Sequence, residues 1–328
     1  MKIITLNRVR VVNYLIWLII VLILAILYIT HRRQVGTTSI FMGGELLQQS
    51  LEKSAEIQTI SIYDKKLDFE KYFRPSKLPI LNNRPVDRDV SDVSKLPDYL
   101  FKSPEDTIIN YFSLLREAAN HVDEKNAGCG TIGNARLPYP IAYKFLSPSY
   151  QHKISYEQYL KSHENILHTS LIKMKPVPKN KDFLDEQKYF VEIESIKGSE
   201  NDSSYFAYYY GFICLSKDKN LYKISDIKFY SEIYLCAPYH GWAYMGEAVV
   251  DIKYGGWCKL VKERYPTEQD GYVKNIYFKG TDGNDYLIVF FTLTNDTDIE
   301  VAQYIKDKDG RWILIHLDPQ KCLEGNRS

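Results

Sequence analysis

The sequence has almost no net charge, and this absence already limits its functions. Lysine and arginine total 42 against 41 acidic residues. Electrostatic binding to a phosphate backbone needs a clear excess of basic residues, so we expect no nucleic-acid partner. With 17 glycines and 13 prolines among 328 residues, a collagen-like or low-complexity chain is excluded. A hydrophobic content of 45% is typical of a globular protein.

Paired cysteine motifs are lacking as well. The five cysteines never stand at C-x-x-C spacing, so neither a zinc ribbon nor a thioredoxin-type redox site is predicted. An odd number leaves at least one cysteine without a partner in the same chain. If the body is exported, Cys214 and Cys236 form the disulfide to test first. The alternative interpretation is that all five are small buried hydrophobic residues.

The common catalytic and metal-binding motifs do not occur. No G-x-S-x-G, P-loop or G-x-G-x-x-G stands in a suitable context. His163 and His168 are five residues apart, about 140° around a helix, so they cannot share a zinc ion. Residues 295–298 (NDTD) lack the glycine and distal glutamate of a calcium loop and predict a turn. We therefore predict no catalytic residue, no metal and no cofactor.

The amino-terminal region lacks acidic residues and contains one long apolar run. Residues 11–30 carry no charge, and twenty helical residues span about 30 Å, the thickness of the hydrocarbon layer. The sequence thus predicts a transmembrane helix at 11–30 after a tail at 1–10. The run is too long for a signal peptide, and no small-residue cleavage site follows it, which favours an uncleaved anchor. The positive-inside rule places the tail in the cytoplasm and the body outside the cell membrane.

Residues 31–102 show little periodicity. Pro75, Pro79, Pro85 and Pro97 block helices and sheet ladders, so this stretch is predicted to be an extended tether. Residues 44–57 could form a short helix through several leucines.

Helical signals begin at Ser103. This residue supplies an N-cap hydroxyl before a proline and two carboxylates, which predicts a first helix. An apolar group at 141–146 predicts a second helix that stops at Ser147-Pro148. Ser155 and Gln158 form a capping box that opens a third helix.

Beyond residue 170 the apolar period changes from 3.6 to 2, which indicates strands. They are predicted at 170–177, 188–196, 205–215 and 222–234, and later at 272–279, 286–294, 299–306 and 312–317. A helix weakened by two glycines is predicted at 242–263, and hairpin turns at 282–284 and 309–310. The predicted class is α+β, with one domain at 103–237, a smaller lobe at 238–320 and a tail at 321–328.

The segments 103–115, 142–150 and 154–160 resemble the helical half of an NTF2-like domain. In that superfamily a capped first helix is followed by a helix ending in L-S-P-x-Y, a third helix and a curved sheet. The resemblance implies a cone of three helices against a curved antiparallel sheet over about residues 103–235. Residues 240–318 would form a partial second copy.

The order of tail, single span, linker and external lobes is also similar to the VirB8/TcpC-like bitopic proteins of bacterial conjugation and type IV secretion machines. This resemblance implies a non-enzymatic scaffold that contacts the lipid bilayer, other membrane or envelope proteins, and copies of itself. The alternative is a membrane-tethered binder or sensor of a small ligand. Its site would be the pocket of the cone, lined by Tyr208, Tyr210 and Phe212 on one predicted strand.

Overall fold

The structure is a computed structural model that describes residues 39–47, 96, 98–120, 136–178, 187–198, 204–232 and 241–325. The predicted α+β class is confirmed: the described chain combines a group of helices with two six-stranded sheets. The predicted transmembrane segment at 11–30 and most of the tether lie outside the described residues. Within the described residues, none of the helices has the length and apolar character needed to cross a bilayer.

The first helix forms where the capping signal predicts it. Helix α1 spans Pro104–Glu117, with Ser103 as its N-cap. The backbone N–H of Asp106 donates to the Ser103 hydroxyl oxygen over 3.0 Å, which satisfies one of the free donors at the helix start. The buried face of α1 carries Ile108, Phe112 and Leu115, as the helical spacing indicates.

Three short helices follow. They are α2 at Tyr139–Tyr143, α3 at Pro148–Lys153 and α4 at Tyr156–Lys161. The predicted second helix is wrong beyond Tyr143, because Leu146 leaves the helix and forms a β-bridge with Ile224. Ser147 begins α3 instead of ending a helix: its hydroxyl oxygen accepts from the N–H of Tyr150. The capping box of Ser155 and Gln158 at the start of α4 is confirmed.

The first sheet contains the four predicted antiparallel strands. They are β3 at Ile166–Pro176, β4 at Gln187–Gly198, β5 at Ser204–Asp218 and β6 at Leu221–Ser231. The tight turn between β5 and β6 uses Lys219 and Asn220, both with positive φ. Register shifts in β3 and β5 mark bulges, which bend strands and increase the twist of a sheet.

Two further strands extend this sheet at the β6 edge. They are β1 at Ser39–Phe41 and β2 at Gly44–Leu47, and β2 pairs parallel with β6. The predicted helix from residue 44 is therefore wrong over Gly44–Leu47. Glycine is needed here because a Cβ at Gly44 would collide with the Ile227 side chain. Residues 39–47 and 98–101 thus belong to the folded body, whereas the sequence assigned them to the tether.

The second sheet is built almost entirely from hairpins. Its strands are β7 at Val261–Arg264, β8 at Glu268–Asp270, β9 at Val273–Gly280, β10 at Asp285–Thr292, β11 at Asp298–Lys306 and β12 at Trp312–Ile315. The order is β12-β11-β10-β9-β7, and β8 also pairs with β9. The predicted turns are confirmed, with Gly283 and Gly310 at φ values of 86° and 79°, which glycine adopts without strain.

The region before this sheet is less regular than the predicted helix at 242–263. A 3-10 turn at Trp242–Tyr244 leads into α5 at Gly246–Val249, and the chain continues as a π-helix at Val250–Trp257 before β7 begins. Gly255 and Gly256 lie in the π-helical part, where their low helix propensity weakens the α-helical ladder. A last helix, α6, spans Pro319–Gly325.

Three hydrophobic cores hold the helices and the two sheets together. The helix-facing core lies between the helices and one face of the first sheet. The inter-sheet core lies between the other face of the first sheet and the second sheet. A third core lies between the second sheet and the segment that contains α5 and the π-helix. Residues 40–328 form one compact unit, which includes both sheets.

Candidate functional site

The three predicted pocket residues lie on β5, but two of them face the second sheet. Tyr210 is buried in the inter-sheet core, and its ring stacks on that of Tyr230 with centroids 5.0 Å apart. Phe212 packs against the same core. The Tyr208 hydroxyl donates to a Glu194 carboxylate oxygen over 3.0 Å. The structure thus places Tyr210 and Phe212 in an interface between sheets and not in a pocket among the helices.

The opposite face of β5 packs under the helices. Tyr209, Ile213 and Leu215 are buried in the helix-facing core. Phe41, from β1, lies against Tyr209 with ring centroids 4.3 Å apart. The side-chain period of two puts alternate residues on opposite faces of a strand, and the sequence prediction chose the face that the second sheet covers.

The predicted histidine arrangement is also different in the structure. His163 follows α4 and His168 lies in β3, so the two rings do not share a helix at all. The His163 ring is fully buried between Tyr139 and Tyr159, with its Nδ1 2.7 Å from the Tyr159 carbonyl oxygen. Burial lowers the pKa of His163 to about 4 because the charged form would lose its hydration. It therefore serves as a neutral core residue.

A disulfide joins two cysteines that the sequence did not pair. Cys258 follows the π-helix and Cys322 lies in α6, and their sulfurs are bonded across a separation of 64 residues. The interpretation of all five cysteines as small buried hydrophobic residues is wrong for this pair. The predicted partner of Cys214, Cys236, lies outside the described residues. Since four pairings were open to Cys258, its partner could not have been chosen from the sequence.

A charged cluster is buried between the two sheets. The Lys173 ammonium on β3 lies 2.9 Å from a Glu192 carboxylate oxygen on β4, with side chains 2% and 0% exposed. Lys173 also donates to the carbonyl oxygen of Thr292 over 3.1 Å. The other Glu192 oxygen accepts from the N–H of Thr294 over 2.7 Å. Both members of the first-sheet pair are therefore bonded to backbone of the second sheet.

A third ionisable group, Glu232, completes this cluster. Both of its carboxyl oxygens are buried without a hydrogen-bond partner among the described residues. Burial, and then the nearby charge of Glu192, raise the pKa of Glu232 well above its ordinary value, while Lys173 acts in the opposite direction. Two carboxyls that share one lysine can hold a proton between them. A substrate cannot reach the pair, since Lys173 and Glu192 are almost fully covered.

A second ionic cluster ties the start of α5 to the second sheet. Lys274 lies 2.6 Å from Asp298 and 3.2 Å from Glu247. Asp298 also accepts from the N–H of Gly246 and from the Thr292 hydroxyl. The predicted turn at 295–298 is confirmed by a hydrogen bond from the Asp296 N–H to the Leu293 carbonyl.

The second sheet carries an open groove, which we call the aromatic groove. It has a volume of about 480 Å³ and is lined by Tyr265, Pro266, Glu268, Tyr277, Asp285, Tyr286, Lys306 and Trp312. The Tyr277 and Trp312 rings lie 5.8 Å apart. Tyr265 is 40% exposed. Leu287 and Tyr304 on the same face continue into the inter-sheet core, so the groove occupies a part of the sheet that the first sheet does not cover.

Charged groups surround the rings of the aromatic groove. The Glu268 carboxylate is hydrogen-bonded to the Tyr277 hydroxyl, and burial followed by this bond raises the pKa of Tyr277. Asp285 lies 3.1 Å from Lys279. The Lys306 ammonium lies 5.7 Å from the centre of the Trp312 ring, a cation–π geometry. The groove therefore offers flat apolar surface with two carboxylates and two ammonium groups, one of which, Lys279, is already paired with Asp285.

Topology explains why the sequence did not reveal the aromatic groove. Its rings come from the segment after β7, from β9 and from β12, and its charged groups Asp285 and Lys306 come from β10 and β11. Antiparallel register places Asp285 opposite Lys279 and Lys306 opposite Trp312. No window of the sequence contains these residues together. The available signal was the pair of hairpin turns, which fixes the register of β9 with β10 and of β11 with β12.

Comparison with family models, curated proteins and solved structures finds no match to this chain. The resemblance to NTF2-like domains and to VirB8/TcpC-like proteins therefore stays a prediction.

Proposed function

We propose that this chain is a non-enzymatic, membrane-anchored interaction protein that binds an extended segment of an envelope protein in the aromatic groove. The observation that carries the proposal is the groove itself, with the rings of Tyr265, Tyr277 and Trp312 and a proline around about 480 Å³. Aromatic-lined grooves accept extended and proline-containing chains because flat rings pack against them at little entropic cost. The Glu268 carboxylate would add selectivity for a segment with a cationic side chain, while Asp285 is already paired with Lys279.

The location rests on two independent features. Residues 11–30 have the length and composition of a membrane span, with the positive-inside rule placing the body outside the cytoplasm. The Cys258–Cys322 disulfide is the kind of bond that forms and persists in oxidising compartments. An extracytoplasmic body at the cell membrane agrees with both features.

The finer fold proposed for the first lobe is the NTF2-like cone. Capped helices α1, α3 and α4 precede four antiparallel strands, and bulges in β3 and β5 supply the bending that a curved sheet needs. The order of parts along the chain supports a place in a conjugation or secretion assembly. Such a setting would supply envelope proteins as partners for the groove.

The positions of the buried carboxyls favour a scaffold over an enzyme. Glu192 and Glu232 converge, as a general acid–base pair would, but they are sealed between sheets with Lys173. A catalytic pair must reach its substrate. The alternative of a small-ligand sensor in the cone gains no support from Tyr210 and Phe212, which pack against the second sheet.

The proposal is tested with the full chain in detergent micelles and an array of synthetic proline-containing peptides that differ in charge. We expect basic peptides to bind, and Trp312→Ala to weaken them at least tenfold because it removes the largest ring of the groove. Phe206→Ala is the matched control: this ring is 61% exposed on β5, outside the groove. Equal effects of the two variants, or no binding by any peptide, would overturn the proposal.

A further inference from the structure

One end of the first sheet carries large hydrophobic side chains that are exposed to water. Ile40 on β1 is exposed, and Tyr205 and Phe206 at the start of β5 are 49% and 61% exposed. Phe206 is the most exposed of the large hydrophobic residues that the structure describes. Single exposed hydrophobic side chains are common on soluble proteins, whereas several at one place indicate an interaction site. We call these three residues the apolar sheet end.

Contacts between β1, β4 and β5 bring the members of the apolar sheet end together. The ring of Phe41, which follows Ile40 in β1, lies 4.3 Å from the Tyr209 ring on β5. Tyr205 is the register partner of Lys197 on β4. The Lys197 ammonium lies 5.2 Å from the centre of the Phe41 ring and 3.4 Å from the Tyr209 hydroxyl oxygen. Strand β1 is therefore packed against the first half of β5.

The sheet topology explains why this end is uncovered. Strand β6 ends at Ser231, opposite Tyr209, so residues 204–207 of β5 pair with β4 but not with β6. Phe206 lies on the same face of β5 as Tyr210, because alternate residues of a strand share a face. The second sheet covers Tyr210 but leaves Phe206 exposed. Within the described residues, neither the helices nor the second sheet cover the apolar sheet end.

The described chain also begins at this end of the body. Strand β1 starts at Ser39, and eight residues separate it from position 30, the last residue of the proposed membrane span. A fully extended chain covers about 3.3–3.6 Å per residue, so this connection spans roughly 32 Å at most. The end of the sheet that carries Ser39 is thus held near the lipid. We propose that the apolar sheet end inserts Tyr205 and Phe206 into the interface of the bilayer, an inference that rests on the membrane anchor of the proposed function.

The chemistry of these side chains fits the boundary between lipid headgroups and acyl chains. Tyrosine is enriched there because its ring is apolar and its hydroxyl is polar. Phe206 supplies an apolar ring, as phenylalanine does in helices that lie in the interface. Lys197 adds a cation beside the rings, and lysine is favoured at membrane interfaces because its stem is apolar and its charged head stays in a polar layer. A second protein could also cover these rings, and the experiment separates the two occupants.

The experiment uses the full chain in phosphatidylcholine nanodiscs, with a photo-crosslinking phenylalanine analogue in place of Phe206. We expect adducts whose added mass equals one phospholipid. The same analogue in place of Met245 is the matched control. Met245 is also exposed, and it precedes α5, which packs on the face of the second sheet that is turned away from the first sheet. Equal lipid adducts at the two positions, or adducts at Phe206 with protein and not with lipid, would overturn the inference.

A charge variant makes the assignment specific. With the crosslinking analogue moved to Tyr205, Phe206→Asp should lose most of the lipid adduct, because a carboxylate is unfavourable in lipid. Phe206→Leu keeps an apolar side chain and should retain the adduct. Met245→Asp places the same charge at the control position and should have no effect. Loss of the adduct in Met245→Asp as well, or its retention in Phe206→Asp, would count against insertion of this end.

Failure of this inference can be distinguished from failure of the proposed function. Alkaline carbonate extraction of vesicles tests the anchor, and the peptide array tests the groove. If the chain resists extraction but the probe at Phe206 gives no lipid adduct, the inference fails while the proposed function stands. If carbonate releases the intact chain, the membrane part of the proposed function fails and the inference fails with it.

Discussion

The two faces of the first sheet are covered by different kinds of surface. Towards the helices the core combines hydrophobic and tyrosine side chains, and its buried imidazole, His163, is held neutral. Towards the second sheet, aromatic packing is interrupted by Lys173, Glu192 and Glu232. Apolar burial is non-directional, whereas Lys173 and Glu192 bond to specific backbone groups at Thr292 and Thr294. We infer that one face supplies cohesion and the other also fixes where the second sheet lies.

The largest expected effect comes from breaking the ion pair between the sheets. Lys173→Met leaves the Glu192 carboxylate buried without its counter-ion, so we expect unfolding to become easier by about 3–5 kcal/mol. The double variant Lys173→Met/Glu192→Leu should recover part of this loss, because the unpaired Glu192 charge is gone, although the Thr292 carbonyl and the Thr294 N–H lose their partners. Denaturant unfolding followed by tryptophan fluorescence measures both. A double variant no better than the single one would contradict this account of the interface.

The second-largest loss of stability is expected from removing the disulfide, which links two residues 64 positions apart in the sequence. Replacing Cys258 and Cys322 by serine should lower the free energy of unfolding by about 2–4 kcal/mol, since the unfolded chain regains freedom. In hydrogen exchange, the amides of the second sheet should lose protection, whereas the protection of the α1 amides should change little. Reduction of the unmodified chain with a dithiol should give the same result. An equal loss of amide protection in the second sheet and in α1 would instead mean that the two sheets unfold together.

Much of the fold is predictable because its signals are local. The caps at Ser103 and Ser155 and the hairpin turns at Gly283 and Gly310 each stand within a few residues of what they determine. The alternating strands were likewise found to within a few residues of their ends. Strand β2 was missed because its partner, β6, lies far along the chain, and parallel pairing leaves no turn signal.

The candidate site could not be predicted for the same reason. The groove joins Tyr265 with Trp312, the ion pair joins Lys173 with Glu192, and both depend on pairings that only the sheets create. The aromatic residues of β5 gave a strong local signal, but a strand has two faces and its alternation does not say which one is free. That ambiguity placed the predicted pocket at Tyr210 and Phe212, under the second sheet.

The two faces of the first sheet should make the free energy of unfolding depend on pH in opposite directions. The first case is the face towards the second sheet. The pKa of Glu232 is raised in the folded chain. The stabilisation that this carboxyl contributes is therefore full below its unfolded-state pKa near 4.5, and it is lost as the pH rises through its folded-state pKa. Stability should fall by up to about 1.4 kcal/mol per pH unit in that window. Glu232→Gln should remove this slope; urea midpoints at a series of pH values measure it, and an unchanged slope contradicts the assignment.

The helix-facing core should lose stability on the acid side. The His163 pKa falls to about 4 because of burial, and its Nε2 has no hydrogen-bond partner among the described residues. Stability from this group is full above the unfolded pKa near 6.5 and is lost as the pH drops towards about 4. His163→Gln should flatten the pH dependence between these values. The slope, and not the absolute stability, is the quantity to compare, since the substitution also changes packing.

The smallest effect is expected at the N-cap of α1, on the side of the first sheet that the helices cover. Ser103→Ala removes the acceptor for the Asp106 N–H and should cost about 1 kcal/mol. Ser103→Thr keeps a hydroxyl that can accept from the Asp106 N–H and donate to the Asp106 carboxylate, so it should stay close to the unmodified chain. Thermal unfolding of the three proteins measures the difference, and an equal loss in both variants would show that packing at Ser103, and not capping, matters.

The proposed function assigns binding to the aromatic groove and leaves the buried cluster of Lys173, Glu192 and Glu232 to hold the two sheets together. The most direct test compares the affinity of a labelled basic proline-containing peptide for Trp312→Ala and for Lys173→Met/Glu192→Leu, by fluorescence anisotropy on folded full-length protein. The account predicts at least a tenfold loss for the groove variant and unchanged affinity for the cluster variant. Unchanged affinity in the groove variant, or loss only in the cluster variant, would contradict it.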